Sequence, residues 1–208
     1  MLSGWINGWT RRIRPGWIYV GGVLPVFWLI WQLNTGALGV DPVKRIEHSL
    51  GLWGLQWIIA GLCVTPLRRW GGVNLIRFRR AIGLVAFGYV FLHLLVWITL
   101  DLQFRWAEIG TDILKRPYIT MGMAGFLLMV PLALTSNNGA VRRMGAAAWQ
   151  RLHRLTYLAA LAGAIHYLWL VKAWPPEPIL YLGAVILLLL VRFTWRRRKQ
   201  RIASVPAN

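Results

Sequence analysis

The feature that most constrains the fold of this chain is a series of six apolar segments of roughly membrane-spanning length. A helix rises about 1.5 Å per residue, so about 20 mainly apolar residues cross ~30 Å of hydrocarbon. The candidate segments lie at 16–34, 49–67, 81–101, 117–135, 150–172 and 177–195. Helices satisfy their own backbone polar groups inside lipid. The sequence therefore predicts an all-α integral membrane protein, a bundle of six transmembrane helices in one domain.

Composition narrows the class of partner. Of 208 residues, 57% are hydrophobic, and 24 Lys and Arg against 6 Asp and Glu give a formal net charge of +18. The charge lies in short segments between apolar runs and not on a soluble domain, so nucleic-acid binding is excluded and the lipid bilayer is the expected surroundings. Cys63 is the only cysteine, which excludes a disulfide framework or a cysteine-ligated iron–sulfur cluster within one chain.

The placement of the charges predicts the orientation. Basic residues without any acidic residue precede span 1, fill the connections 2–3 and 4–5, and form a tail at 196–208. The other connections hold all the acidic residues, which are Asp41, Glu47, Asp101, Glu108, Asp112 and Glu177. By the positive-inside rule, both termini are expected in the cytoplasm. We expect the first segment to be a retained span, because no small-residue cleavage site follows it.

Two histidines, His93 and His166, lie inside apolar segments at what this topology predicts to be the same depth. Span 3 enters from the cytoplasm near Ala81, so at about 1.5 Å per residue His93 lies about 18 Å along it. Span 5 also runs outward and carries His153 at its inner boundary, with His166 about 20 Å further on. Ionisable side chains inside a span are costly and are functional candidates by default.

The two histidines have two interpretations. Each could be a buried imidazole hydrogen-bonded to a neighbouring helix, or together they could be the axial ligands of one haem iron. Their matching depth favours ligation. Small residues near both leave room for a porphyrin, although such residues also serve ordinary helix packing. They are Gly83, Ala86, Gly88, Ala159, Ala160, Ala162, Gly163 and Ala164. His48, by contrast, is expected at the outer surface as a residue of the helix start.

Four stretches carry a resemblance to a known family. They are GLWGLQWIIAGLCVTPL (51–67), RRAIGLVAFGYVFLHLLVW (79–97), LALTSN (132–137) and WQRLHRLTYLAALAGAIHYLW (149–169). Together they resemble the MsrQ (YedZ) family of haem-binding membrane subunits, in the ferric-reductase-like transmembrane group. The resemblance covers nearly the whole chain and implies a single ferric-reductase-like domain over 1–208.

The resemblance also implies a function. Members of the family are haem b proteins of the bacterial inner membrane that belong to a methionine sulfoxide reductase system. They pass electrons to MsrP, a periplasmic molybdopterin reductase that repairs oxidised proteins. The quinone pool and a cytosolic flavin reductase have been proposed as donors, and a bound FMN is reported for the family. The chain would then be an electron-transfer subunit, with the catalytic subunit on a separate chain.

The number of haems is where the chain departs from related di-haem proteins, which carry two histidines on each of two helices. Span 5 keeps such a pair in His153 and His166, but the matching inner position of span 3 falls near Arg79 and Arg80, which cannot coordinate iron. An ideal helix would also leave His153 and His166 on largely different faces. One haem held by His93 and His166 is favoured, and two are not excluded.

The inner side of the bundle is the expected electron-donor side. His153 would contact a flavin, a haem propionate or a second haem, and the donor-side region for a flavin or quinone would be formed by Arg77, Arg79, Arg80 and Arg154. The sequence has no G-x-G-x-x-G fingerprint, so a nucleotide-binding domain of its own is not expected. Two alternatives stay open: a self-contained transmembrane metalloreductase, and a non-redox transporter with histidines in its path.

Overall fold

The structure of the chain is a computed structural model that describes residues 2–171, 173 and 175–203, and this part of the chain is helical, with turns between the helices. The helices are α1 (Leu2–Arg12), α2 (Gly16–Asn34), α3 (Pro42–Trp70), α4 (Arg79–Val96), α5 (Trp106–Lys115), α6 (Pro117–Leu134), α7 (Asn138–Met144), α8 (Ala146–Leu152), α9 (Leu155–Leu170) and α10 (Pro176–Ala203). A short 3₁₀ turn, Ile76–Phe78, precedes α4, and a π-helical turn, Trp97–Asp101, follows it. Residues 204–208 of the predicted basic tail lie outside the described residues.

Five described helical segments are long and apolar enough to cross a membrane. They are Gly16–Asn34, Pro42–Trp70, Ile76–Asp101, Pro117–Leu134 and Pro176–Thr194. These segments correspond to five of the six predicted spans, and the all-helical class is confirmed for the described residues. Large apolar side chains on them point away from the bundle, including Trp17, Leu24, Phe27, Leu127 and Leu180. A bilayer would cover such a surface, which water would not tolerate.

The predicted span 150–172 differs from the expectation. It is interrupted at His153 and Arg154, where α8 ends in a turn before α9 begins. The expectation of one continuous helix through His153 and His166 is therefore wrong. The 16 residues of α9 extend only about 24 Å at 1.5 Å per residue. The count of six spans, and with it the cytoplasmic position of both termini, stays a prediction.

Four helices form the centre of the bundle. α3 packs along α4, α6 packs along α9, and the two pairs meet where α4 contacts α6 and α3 contacts α9. α2 packs on α4, while α10 packs on α9 and α3. The central buried cluster comprises Leu55, Ile58, Leu62, Ala86, Met129, Ala159, Ala160, Ala164 and Val185. Small residues at these crossings let the helix backbones approach closely, as is common in membrane bundles.

Local sequence explains how α3 begins and how it tolerates a proline. Asp41 accepts a hydrogen bond from the Lys44 backbone N–H at 3.1 Å, and Pro42 occupies the first helical position, where a missing N–H costs nothing. Pro66 lies inside the helix and cannot donate to the carbonyl of Leu62. The guanidinium of Arg192 donates to that carbonyl instead, at 2.5 Å. The freed acceptor is thus satisfied by a neighbouring helix.

Candidate functional site

The structure brings His93 of α4 and His166 of α9 together in the interior of the bundle. Their ring centroids are 6.1 Å apart, and the ring planes are inclined by 70°. The two helices reach this position by different routes, because α4 pairs with α3 and α9 pairs with α6. The two histidines are close because the α3–α4 pair meets the α6–α9 pair, where α4 contacts α6 and α3 contacts α9.

Each imidazole is held by one hydrogen bond to a backbone carbonyl. The Nδ1 atom of His93 lies 2.8 Å from the carbonyl oxygen of Glu47, and that of His166 lies 2.7 Å from the carbonyl oxygen of Tyr118. A carbonyl only accepts, so Nδ1 must carry the proton and donate it. The lone pair of each neutral ring then lies on Nε2, the atom free to bind a metal.

Two glycines make room for the rings. A Cβ atom on Gly122 would lie 2.8 Å from the Nδ1 atom of His166, and one on Gly51 would lie 3.1 Å from that of His93. Each glycine follows the residue that accepts the histidine bond by four positions, Glu47 in α3 and Tyr118 in α6. The same arrangement therefore occurs twice, once in each helix pair.

The repeat extends one turn further along both helices. Gly54 packs against Val90 and Tyr89, three and four residues before one histidine, and Gly125 packs against Ala162 and Gly163, four and three residues before the other. The sequence reasoning missed these glycines. A weak signal was present in the spacing G-x-x-G, which occurs at 51–54 and 122–125 but also at 36–39, outside both helix pairs.

The donor set and its spacing fit a metal held between the two rings. Imidazole–metal bonds are about 2 Å long and a ring centroid lies about 1 Å behind its nitrogen, so two rings on opposite faces of one metal have centroids roughly 6 Å apart. The observed 6.1 Å matches this value. His48 is exposed in the first turns of α3 and is not one of the two facing rings.

A second site lies on the side where α4 begins. It is a cavity of about 670 Å³ between the helix pairs. All the predicted donor-side residues line it, namely Arg77, Arg79, Arg80, His153 and Arg154. Its other walls are apolar and include Gly83, Ala86, Phe87, Met129 and Leu132. The residues that line this cavity include no Asp or Glu, so its charge is strongly positive.

His153 belongs to this arginine-lined cavity, the inner cavity, and not to the histidine pair. Its ring stacks on Trp149 with centroids 3.8 Å apart, and its Nε2 atom lies 3.1 Å from the Thr135 hydroxyl. The Trp149 indole N–H donates to the carbonyl of Thr135 at 2.8 Å, which fixes the stack. The interruption between α8 and α9 turns the His153 ring into the cavity.

Not every predicted residue is available to a ligand. The Arg77 guanidinium donates to the carbonyls of Thr10 and Arg11 at 3.1 and 2.9 Å, which caps the end of α1.

The small residues of α9 mainly serve packing, since Ala160 and Ala164 are completely buried in the central cluster. Space beside the histidines comes instead from Gly51 and Gly122.

The fold defines a multi-pass, all-helical membrane protein, and His93 and His166 face each other inside its bundle. Comparison with known proteins agrees. The family model described as ferric reductase like transmembrane component matches residues 48–164, a range that includes His93 and His153 and ends two residues before His166. No solved structure matches the chain.

Curated relatives specify the family further. A protein of Brucella anthropi is 44% identical over 94% of this chain and 90% of its own length. One of Caulobacter vibrioides is 47% identical over 92% of this chain and 91% of its own, and one of Brucella ovis is 47% identical over 86% and 83%. Each is named protein-methionine-sulfoxide reductase heme-binding subunit MsrQ. The chain therefore belongs to the ferric-reductase-like transmembrane family and, within it, to the MsrQ family.

Proposed function

We propose that the chain is a haem b subunit that carries electrons across the bacterial inner membrane to a periplasmic molybdopterin reductase of the MsrP type. The observation that carries the proposal is the facing pair of His93 and His166, 6.1 Å apart, with both Nδ1 atoms engaged by carbonyls. The names of the relatives support haem and the methionine sulfoxide reductase system.

His93 and His166 would hold the iron through their Nε2 atoms. A bound haem supplies one-electron chemistry. The carbonyls of Glu47 and Tyr118 fix the tautomer and the orientation of the rings, and hydrogen bonds of this kind raise the basicity of a ligand. With both imidazoles engaged, the iron would offer no site for a substrate, which favours electron transfer. We infer one haem per chain, because His153 is the only histidine that lines the inner cavity.

The inner cavity is proposed as the donor side. Its basic and apolar walls would accept the isoalloxazine ring and phosphate of an FMN, or the head of a quinol, with a cytosolic flavin reductase or the quinone pool as the source of electrons. Arg79 faces the cavity, while Arg80 donates to the Asn138 side chain at 2.6 Å. His153, held by Thr135, would contact the ring of the ligand.

An aromatic cluster connects this cavity with the helices of the histidine pair. Phe87 lines the cavity and stacks on Phe126 with centroids 5.9 Å apart, and Phe91 stacks on both at 6.3 and 6.5 Å. Phe91 lies two residues before His93, and Phe126 lies four residues after Gly122. Residues two positions apart on a helix point about 200° apart, and Phe91 is 45% exposed, so the cluster follows the outer face of α4 and does not reach the histidine rings.

We further propose that both termini are cytoplasmic, so that the histidine pair lies in the outer half of the membrane. A reporter that is active only in the periplasm is expected to be silent after residue 208 and active when fused near Ala107. Alkaline phosphatase fusions in whole cells measure this directly. Activity at the carboxyl end would contradict the topology, and with it the outward direction of electron flow.

The function is tested by reconstitution. Purified protein is expected to show the optical spectrum of a six-coordinate haem, whereas a non-redox transporter would be colourless. In liposomes, the reduced haem is expected to be reoxidised only when a cognate MsrP-type enzyme and methionine sulfoxide are both present. Reoxidation no faster than in buffer, together with rapid reoxidation by ferric citrate, would replace the proposal with the self-contained metalloreductase.

A further inference from the structure

Arg192 of α10 is a buried positive charge whose partners are all neutral. Only 8% of the residue is exposed, and its guanidinium donates to the Leu62 carbonyl at 2.5 Å and to the Tyr157 hydroxyl at 3.1 Å. Its Nε atom is buried without a hydrogen-bond partner among the described residues. A guanidinium keeps its proton, and burying a charge is costly unless it is paired.

The acidic side chains of the sequence lie too far from Arg192 to provide a counter-ion for its guanidinium. Glu177, the only one in the segment of α10, lies 15 residues before Arg192, or about 22 Å along the helix. The other five lie in or beside the connections near the opposite ends of the spans. The charge of Arg192 therefore needs an anion that the acidic side chains do not supply.

The neutral partners of Arg192 open onto the inner cavity. Leu62 and Tyr157 both line it, and so does Arg79. Arg79 hydrogen-bonds to the Tyr157 side chain and is near enough to Arg192 for the two charges to repel each other. Two cations thus converge on one hydroxyl at a cavity wall that carries no carboxylate, and this arrangement is stabilised when an anion binds beside it.

We propose that Arg79 and Arg192, bridged by the Tyr157 hydroxyl, form a binding site for a phosphate group at the wall of the inner cavity. The inference rests on the proposed function, in which this cavity receives the electron donor. A phosphate offers several acceptor oxygens and up to two negative charges, which suits two guanidinium groups. Two sources share this chemistry: a flavin mononucleotide inside the cavity, and the headgroup of an anionic phospholipid of the cytoplasmic leaflet.

A simpler role of Arg192 is to cap the Leu62 carbonyl that Pro66 leaves free. That role requires a hydrogen-bond donor but not a charge. Substitution with glutamine separates the two roles, because its amide can still donate to the carbonyl while the charge is lost.

The experiment compares the dissociation constants of FMN and riboflavin, which differ only in the phosphate. The holoprotein is placed in phosphatidylcholine nanodiscs, and binding is measured by equilibrium dialysis. The wild type is expected to bind FMN at least about 10-fold more tightly than riboflavin. In Arg192→Gln the two constants should agree within about 2-fold, with haem retained. Arg143→Gln, a change at an exposed residue of α7 outside the cavity, should keep the wild-type preference.

Arg79→Gln provides a second variant, since Arg79 is exposed whereas Arg192 is buried. It should reduce the preference for FMN as well. The lipid source is tested by native mass spectrometry after exposure to phosphatidylglycerol, which the wild type should retain and both glutamine variants should lose if the site holds a headgroup. The proposal is overturned if neither FMN preference nor lipid retention depends on either arginine.

The two proposals fail in different ways. Loss of haem reoxidation with an intact FMN preference would overturn the proposed function and leave the phosphate site standing. Normal electron transfer, with binding of FMN and of phosphatidylglycerol unaffected by Arg79→Gln and Arg192→Gln, would overturn the phosphate site and leave the proposed function standing. Arg192 would then only cap the Leu62 carbonyl.

Discussion

Replacement of His166 with alanine is expected to reduce the haem bound to the purified protein by at least about tenfold. The iron would lose one of the two imidazoles proposed to hold it, and the Tyr118 carbonyl would lose its hydrogen-bond donor. The same loss is expected for His93→Ala, whose ring is held by the Glu47 carbonyl. Haem per chain, measured by the pyridine haemochrome assay, checks the prediction.

The matched control is His48→Ala, because His48 is exposed and is not one of the two facing rings. It should keep the full complement of haem and an unchanged spectrum. A His166→Ala protein that retains stoichiometric six-coordinate haem would show that His166 is not a ligand, and the facing rings would then be two hydrogen-bonded core histidines.

Substitution of Gly122 with alanine is expected to lower haem affinity by about 10- to 100-fold, although Gly122 is not itself a proposed ligand. The new Cβ would lie 2.8 Å from the Nδ1 atom of His166, closer than real contacts allow, so the ring must shift away from the Tyr118 carbonyl. Titration of the purified apoprotein with haem measures the change. Gly51→Ala should have a smaller effect, since its Cβ would lie 3.1 Å from the His93 ring.

Gly88→Ala is the control for this substitution. It lies on α4, and a Cβ atom there meets nothing within 4 Å. Alanine favours a helix over glycine by about 1 kcal/mol, so this variant should bind haem normally and unfold at no lower temperature. Wild-type affinity in Gly122→Ala would mean that the ring has freedom to move, and that the carbonyl bond does not orient it.

Much of the fold could be predicted from hydropathy and charge. The segment predicted at 16–34 agrees with α2, and that at 117–135 agrees with α6 within a residue. The start of α3 was placed seven residues too late, because the polar residues between Pro42 and His48 conceal a first turn that Asp41 caps. The interruption at His153 was not predicted, because hydropathy does not show whether a helix continues through a short polar stretch.

The candidate site was predicted in part. The sequence pointed to His93 and His166, and the structure places their rings 6.1 Å apart, while the predicted donor-side arginines share one cavity with His153. Their roles toward haem, flavin and quinone stay predictions. Arg192 falls within the segment predicted at 177–195 and was not singled out, because no local pattern distinguishes an arginine that anchors a helix end from one that turns into the bundle.

The sequence by itself determined the apolar segments and the alternation of charge between them, and it predicted a common depth for His93 and His166. A bilayer acts on each segment separately, according to its length, its apolar content and the charge at its ends, and these properties can be read along one dimension. The tertiary structure alone decided which faces meet. The bonds from His93 to Glu47 and from His166 to Tyr118, and that from Arg192 to Leu62, join helices that are distant in sequence. Such contacts depend on the close approach of side chains from several helices at once, which no single segment specifies.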